Sequence, residues 1–158
     1  MRVSILTLSD SVFSGKYEDR SGPALLERCK GLGWEVVSCV VLADDQPAIE
    51  AFLKQVCNSK SADLILTTGG TGLGPRDVTP EATAAVCERL IPGFSEQMRA
   101  AGAKKTPRAL LSRAAAGICG STIIVNLPGS PKGAVESLDT ISELLPHAIA
   151  ILHGGGHG

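Results

Sequence analysis

Aromatic side chains are scarce: Phe, Tyr and Trp make up 3% of the 158 residues, too few for the stacking platforms that hold single-stranded nucleic acid. Charge of one sign is missing as well. The net charge is -1 and no block of like charge stands out, which argues against nucleic acid or an anionic membrane surface as the main partner. No apolar run approaches the ~18 residues of a membrane span. Met1 leads at once into the strand-like "RVSILTL" rather than into a charged segment and an apolar core, so a soluble, cytoplasmic protein is expected. The three histidines, His147, His153 and His157, all lie near the C-terminal end, which disfavours a Ser-His-Asp triad or a His-ligated catalytic metal. The cysteines Cys29, Cys39, Cys57, Cys87 and Cys119 are odd in number and contain no CxxC. A disulfide framework or zinc ribbon is therefore not expected, and reduced thiols serving as small hydrophobes are.

What the chain does have is alternation. Short β-branched apolar runs over 3–8, 34–42 and 63–68 are separated by segments of helical period over 22–33 and 46–59. In the second of these Ile49, Phe52, Leu53 and Val56 share a face. Helices are also expected over 80–90, 94–105 and 131–152, the last kinked at Pro146, and "ICGSTIIVNL" (118–127) reads as a hairpin turning at Gly-Ser. A β-α-β-α-β opening predicts an α/β protein with a mostly parallel sheet, helices on both faces, and an antiparallel edge supplied by the hairpin. One domain over 1–153 is expected, followed by a glycine-rich tail over 154–158; the stretch "HGGGHG" (153–158) is expected to fray, with weak metal binding by His153 and His157 as the alternative.

Three glycine-rich polar loops leave strand ends: "SDSVFSG" (9–15), "GGTGLGPRD" (69–77) and "NLPGSPKG" (126–133). In an open α/β sheet ligands sit outside the carboxyl ends of the strands. Each loop precedes a helix start marked by a capping type before proline, at Gly22-Pro23, Thr79-Pro80 and Ser130-Pro131. Helix N-termini and bare glycine amides suit an anion. The middle loop is neither a Walker A loop, since no GK[ST] follows, nor a dinucleotide fingerprint, since Pro75 stands where its third glycine belongs. The hydroxyls of Thr67, Thr68 and Thr71 are counted towards phosphate binding.

Asp77 narrows the chemistry. A carboxylate repels a neighbouring phosphate by ~4 kcal/mol at about 4 Å and an effective dielectric near ~20. A phosphate site therefore tolerates it only with a cation between them, and Mg²⁺ is bound in this way by one or two carboxylates plus substrate phosphates. The alternative is that Asp77 pairs with Arg76 or begins the next helix. Of Asp44 and Asp45, Asp45 is the better N-cap, which leaves Asp44 without a structural duty. Asp10 is either a pocket residue or the centre of an Asx turn. Carboxylates, Mg²⁺ and a cradled phosphate together suit phosphoryl or nucleotidyl transfer.

The stretches "LSDSVFSGKYEDRSGP" (8–23), "LTTGGTGLGPRDVTPEAT" (66–83), "LLSRAAAGICGSTIIVNLPGSPKG" (110–133) and "LLPHAI" (144–149) resemble the MogA/MoaB family of molybdenum cofactor biosynthesis, including the G domain of gephyrin. The resemblance spans nearly the whole chain. It implies a three-layer α/β/α fold, commonly trimeric, and an adenylyltransferase that joins AMP from ATP to the phosphate of molybdopterin with Mg²⁺ required. By motif it implies Asp44 and Asp77 as the catalytic and metal-holding acids, although Ala43 replaces the proline expected before Asp44. Gly69, Gly70, Thr71 and Gly72 match the nucleotide loop. Ser112 and the stretch Pro128, Gly129, Ser130 and Lys132 match the pterin and phosphate side, and Ser9 and Asp10 are expected on the pocket floor. A molybdenum-insertion enzyme is the implied downstream partner. A pterin-binding protein without efficient catalysis, or a scaffold of gephyrin type, are the alternatives.

Overall fold

The computed structural model describes residues 1–156. Strand β1 (Arg2–Leu8) is followed by a single turn α1 (Asp10–Phe13), α2 (Ser21–Gly31), β2 (Glu35–Leu42), α3 (Gln46–Ser59) and β3 (Leu64–Thr68). Then come α4 (Thr79–Val86), β4 (Arg89–Leu90), α5 (Pro92–Ala103), a 3-10 turn (Pro107–Leu111), β5 (Ala116–Cys119), β6 (Thr122–Leu127), α6 (Pro131–Asp139) and α7 (Leu144–Leu152). The six strands run in the order β2-β1-β3-β6-β5-β4. The first four are parallel, and β5 and β4 add an antiparallel edge.

The layers follow from strand periodicity, because successive side chains point to opposite faces. Val3, Ile5, Leu64, Leu66, Ile123 and Val125 pack with Leu25 and Cys29 of α2, Phe94 and Met98 of α5, Leu138 of α6 and Leu145 of α7. Leu6, Leu8, Ile65 and Ile124 turn the other way, onto Ile49, Leu53 and Val56 of α3 and Ala82 and Val86 of α4. Strands β1, β3 and β6 are thus covered on both faces, which is why they read as unbroken apolar runs. No helix among the described residues is long and apolar enough to cross a membrane.

Four local expectations need correcting. Helix α4 stops at Val86, and Arg89–Leu90 is an edge strand paired with Ile118 and Gly117. Cys87 turns extended there, Glu88 and Ile91 donate their N–H groups to β5 carbonyls, and Pro92 disfavours helix at the residue before it. The segment 131–152 is two helices broken at 140–143, not one helix kinked at Pro146. Thr140 and Ser142 bond their hydroxyls back to the carbonyls of Ser137 and Asp139, while Pro146 sits in the first turn of α7, where no intrahelical N–H is required. Thr79 is not a cap but the first residue of α4, its hydroxyl donating to the Gly69 carbonyl at 2.9 Å. At α2 the carboxylate of Asp19, not Gly22, serves the helix start by accepting the Gly22 N–H at 3.0 Å. Ser130 does cap α6, and Asp45 caps α3. In the tail, Gly155 donates its N–H to the Ala150 carbonyl, and His157 lies outside the described residues.

Candidate active site

Strands β1 and β3 are neighbours whose following connections diverge, from β1 to β2 at one edge and from β3 to β4 at the other. Such a switch point leaves a crevice at the carboxyl ends. A depression of about 420 Å³ lies there, walled by Ser9 after β1, Asp44 after β2, Thr68, Gly69 and Gly70 at the end of β3, Asp77, and Gly129 and Pro131 after β6. The loops meet without side chains between them. A Cβ on Gly69 would stand 2.3 Å from the Leu8 carbonyl oxygen, at a φ of +101 that side chains rarely adopt, and one on Gly129 would stand 3.3 Å from the Gly69 Cα.

The acids form an ordered set. Asp10 and Asp44 hold each other reciprocally: the Asp10 N–H donates to Asp44 Oδ2 and the Asp44 N–H to Asp10 Oδ1, both at 3.0 Å. Arg76 pairs with Asp10 through two bonds of 3.0 Å and not with Asp77. The Arg76 hydrogen bonds hold the Asp10 carboxyl below its ordinary 3.8, whereas burial pushes Asp44 above it, with the charges of Asp10 and Asp77 adding to the rise. Asp10 contributes no wall to the depression; it braces Asp44 from the side. The second oxygen of Asp44, Oδ1, is buried and has no hydrogen-bond partner. Asp77 accepts the Gly74 N–H at Oδ2, and a Cβ on Gly72 or Gly74 would come within 2.9 Å of that oxygen. Gly72 is therefore bare to make room for Asp77, and neither Gly72 nor the buried Thr71 walls the depression. Two of the three threonine hydroxyls counted towards a phosphate are used internally: Thr67 accepts from Asn126 and Thr68 donates to the Pro128 carbonyl.

A second cavity of about 290 Å³ lies across the 128–131 turn, between α5, the 3-10 turn and α6. Ser112, Pro128 and Ser130 line it, as do Arg99, Lys105 and Arg108, three cations that the reading of the sequence missed. Arg99 and Lys105 sit in the segment over 94–105 read as a helix and Arg108 lies beyond it, and an isolated cation carries no pattern of its own. Lys132 lines neither cavity; its side chain is 86% exposed and lies 4.0 Å from Glu136. Asp19, also missed, lines the first depression and accepts the Thr7 hydroxyl at 2.9 Å. Its position three residues before Gly22 is the capping signal that would have found it.

The donors present suit Mg²⁺. A buried carboxylate oxygen without a partner is costly unless something positive completes it, and Asp44 presents one beside Asp77. No group of three or more His, Cys, Asp or Glu among the described residues could hold a metal, so a cation here would depend on ligand oxygens, which is the habit of Mg²⁺ in phosphate sites.

Fold and site together define an open-sheet α/β protein with an acidic switch-point depression and a basic cavity beside it. The chain belongs to the family described as the probable molybdopterin binding domain, whose model matches residues 4–147. It is 39% identical to the molybdopterin adenylyltransferase of Helicobacter pylori over 98% of this chain and 89% of that protein. It is 38% identical to the molybdopterin adenylyltransferase of Escherichia coli over 98% of this chain and 79% of that one. The crystal structure of the molybdopterin biosynthesis enzyme MoaB from Thermus thermophilus superposes with a TM-score of 0.92 at 46% identity, covering 99% of each chain.

Proposed function

We propose that this chain is a nucleotidyltransferase, a molybdopterin adenylyltransferase that joins AMP from Mg-ATP to the phosphate of molybdopterin. A phosphate oxygen of the pterin forms a bond to the α-phosphorus of ATP, the bond between the α-phosphorus and the bridging oxygen breaks, and pyrophosphate leaves. The single observation that carries the reading is the unpartnered Asp44 Oδ1, buried beside Asp77 in the switch-point depression. The names of the relatives support the same substrates.

The triphosphate belongs in the depression against Gly69 and Gly70, whose bare backbones let phosphate approach. Asp44 and Asp77 would hold Mg²⁺, which when bound neutralises charge on the phosphates and stabilises the leaving pyrophosphate. Asp10 and Arg76 fix the orientation of Asp44. The pterin belongs in the second cavity, where Ser112 and Ser130 offer hydroxyls and Arg99, Lys105 and Arg108 offset its phosphate charge. The 128–131 turn, shared between the two spaces, brings the pterin phosphate to the α-phosphorus, and such positioning supplies much of the rate in phosphoryl-type transfer. The family resemblance further supports a cytoplasmic homotrimer formed by residues 1–153 that passes its product to a molybdenum-insertion enzyme; light scattering tests the trimer. The chemistry is tested by incubation with molybdopterin, ATP and Mg²⁺. Release of pyrophosphate with adenylylated pterin is expected, and pterin binding without either product would return the chain to a binding role.

A further inference from the structure

Arg113 touches neither cavity, yet it makes more polar contacts with the glycine loop than any residue the sequence singled out. Its main-chain N–H donates to the Thr71 carbonyl at 2.8 Å. Its side chain donates from Nε to the Gly72 carbonyl at 2.8 Å, from Nη2 to the Asp77 carbonyl at 2.8 Å, and from Nη1 to the Glu81 carboxylate. One residue thus grips both ends of the 72–77 loop and the first turn of the helix behind it. The strap that carries Arg113 is itself held, because Arg99 donates to the carbonyls of Ser112 at 3.3 Å and Ala114 at 3.1 Å.

We propose that Arg113 is a positioning residue for Asp77, closing the neck of the 72–77 loop so that the Asp77 carboxylate meets the cation beside Asp44. The inference deepens the adenylyl-transfer reading and rests on it for the identity of the ligands. Arg76 also ties the loop to Asp10 through two bonds of 3.0 Å, at a single position near its C-terminal end. Within the loop, Asp77 Oδ2 accepts the Gly74 N–H at 2.9 Å and the Asp77 N–H donates to the Gly74 carbonyl at 3.0 Å, a local turn that Arg113 ties down at the Gly72 and Asp77 carbonyls. Gly72 and Gly74 raise the freedom that must be removed. A guanidinium reaches three acceptors in fixed directions; an ammonium is one point charge and cannot span them.

The test is Arg113→Lys in the full chain, with three readouts. Exchange of the Gly74 and Asp77 amides is expected to quicken at least ~tenfold while the amides of β1 and β3 keep their protection. The Mg²⁺ concentration for half-maximal adenylyl transfer is expected to rise by about tenfold, with molybdopterin affinity in the absence of ATP changing less than about twofold. Glu81→Gln, which weakens one of the contacts of Arg113, should move the same readouts in the same direction by less, and it carries the test if Arg113→Lys fails to fold. Unchanged exchange at Gly74 and Asp77 overturns the proposal. So does a loss of pterin affinity with the Mg²⁺ requirement unmoved, which would assign Arg113 to the second cavity. If the wild-type chain forms no adenylylated pterin, the functional reading falls, and amide exchange still decides whether Arg113 holds the loop.

Discussion

Three carboxylates crowd one strand edge, and their environments set them apart. Asp10 is half-exposed and countered by Arg76, while Asp44 is half-buried with one buried oxygen unpaired. The sign of the pH dependence follows. The folded pKa of Asp44 is raised, so any stability it contributes is complete below 3.8 and is lost as pH rises through its folded value. The difference in Tm between Asp44→Asn and wild type should therefore shift in favour of the variant across that interval, measured by calorimetry from pH 3 to 7. Asp10 acts oppositely, its lowered pKa favouring the fold above 3.8. In the proposed adenylyl transfer Asp44 would act ionised, so the acid limb of the rate profile should sit above the ordinary carboxylate value and vanish in Asp44→Asn. Asp77→Asn should retain ATP and pterin binding while turnover drops by roughly 10²-fold or more, as when a charge-stabilising group is deleted. Adenylylated pterin formed by that variant at the wild-type rate would remove Asp77 from the metal site.

At the scale of elements, the loops are held by the strands they leave. Asn126 of β6 donates to Thr67 of β3 at 3.0 Å and to Thr83 of α4 at 2.8 Å, and accepts the Ala115 N–H at 3.1 Å. Asn126→Ala strands several buried polar groups and should cost about 2–4 kcal/mol, read from urea denaturation at constant m. Gly69→Ala forces a Cβ into the Leu8 carbonyl and should cost over ~2 kcal/mol with a larger loss of ATP affinity. Legibility in the sequence differed by kind of feature. Helix α3 could be read to its exact ends because Asp45 caps it and its apolar face is periodic. The hairpin at Gly120 and the parallel core strands were equally plain. The break between α6 and α7 was not, because Ile141 and Leu145 keep the helical period across it and only tertiary packing and back-bonded hydroxyls turn the chain. In the site, Asp44 stood out because Asp45 is the better cap, and Asp77 because a carboxylate next to a phosphate calls for a cation. Arg99 and Arg113 act through carbonyls distant in sequence, and no local pattern marks that.

The whole molecule has two apolar layers pressed on one sheet, and its thiols report on their integrity. Cys29, Cys57 and Cys119 are buried, while Cys39 is exposed on the edge strand β2. Burial pushes Cys29 up to about 12 and Cys57 higher still, so neither forms thiolate readily in the fold. A thiol reagent should modify Cys39 first, and Cys29, Cys57 and Cys119 only at the rate of global unfolding, with urea accelerating these three together. Prompt native-state labelling of Cys29 at the rate of Cys39 would show that the layer under α2 opens independently.

The 128–131 turn is a partition, with Pro128 and Ser130 facing one cavity, Gly129 and Pro131 the other, and Gly129 against Gly69. In the proposed reaction the dinucleotide-like product, its adenosine on one side and its pterin on the other, would straddle that partition like a rider. Letting go of either end would leave the other tethered, and the high local concentration of the loose half would favour re-seating over departure. Escape should therefore be far slower for the joined molecule than for AMP or molybdopterin alone, which competition dissociation measurements would read.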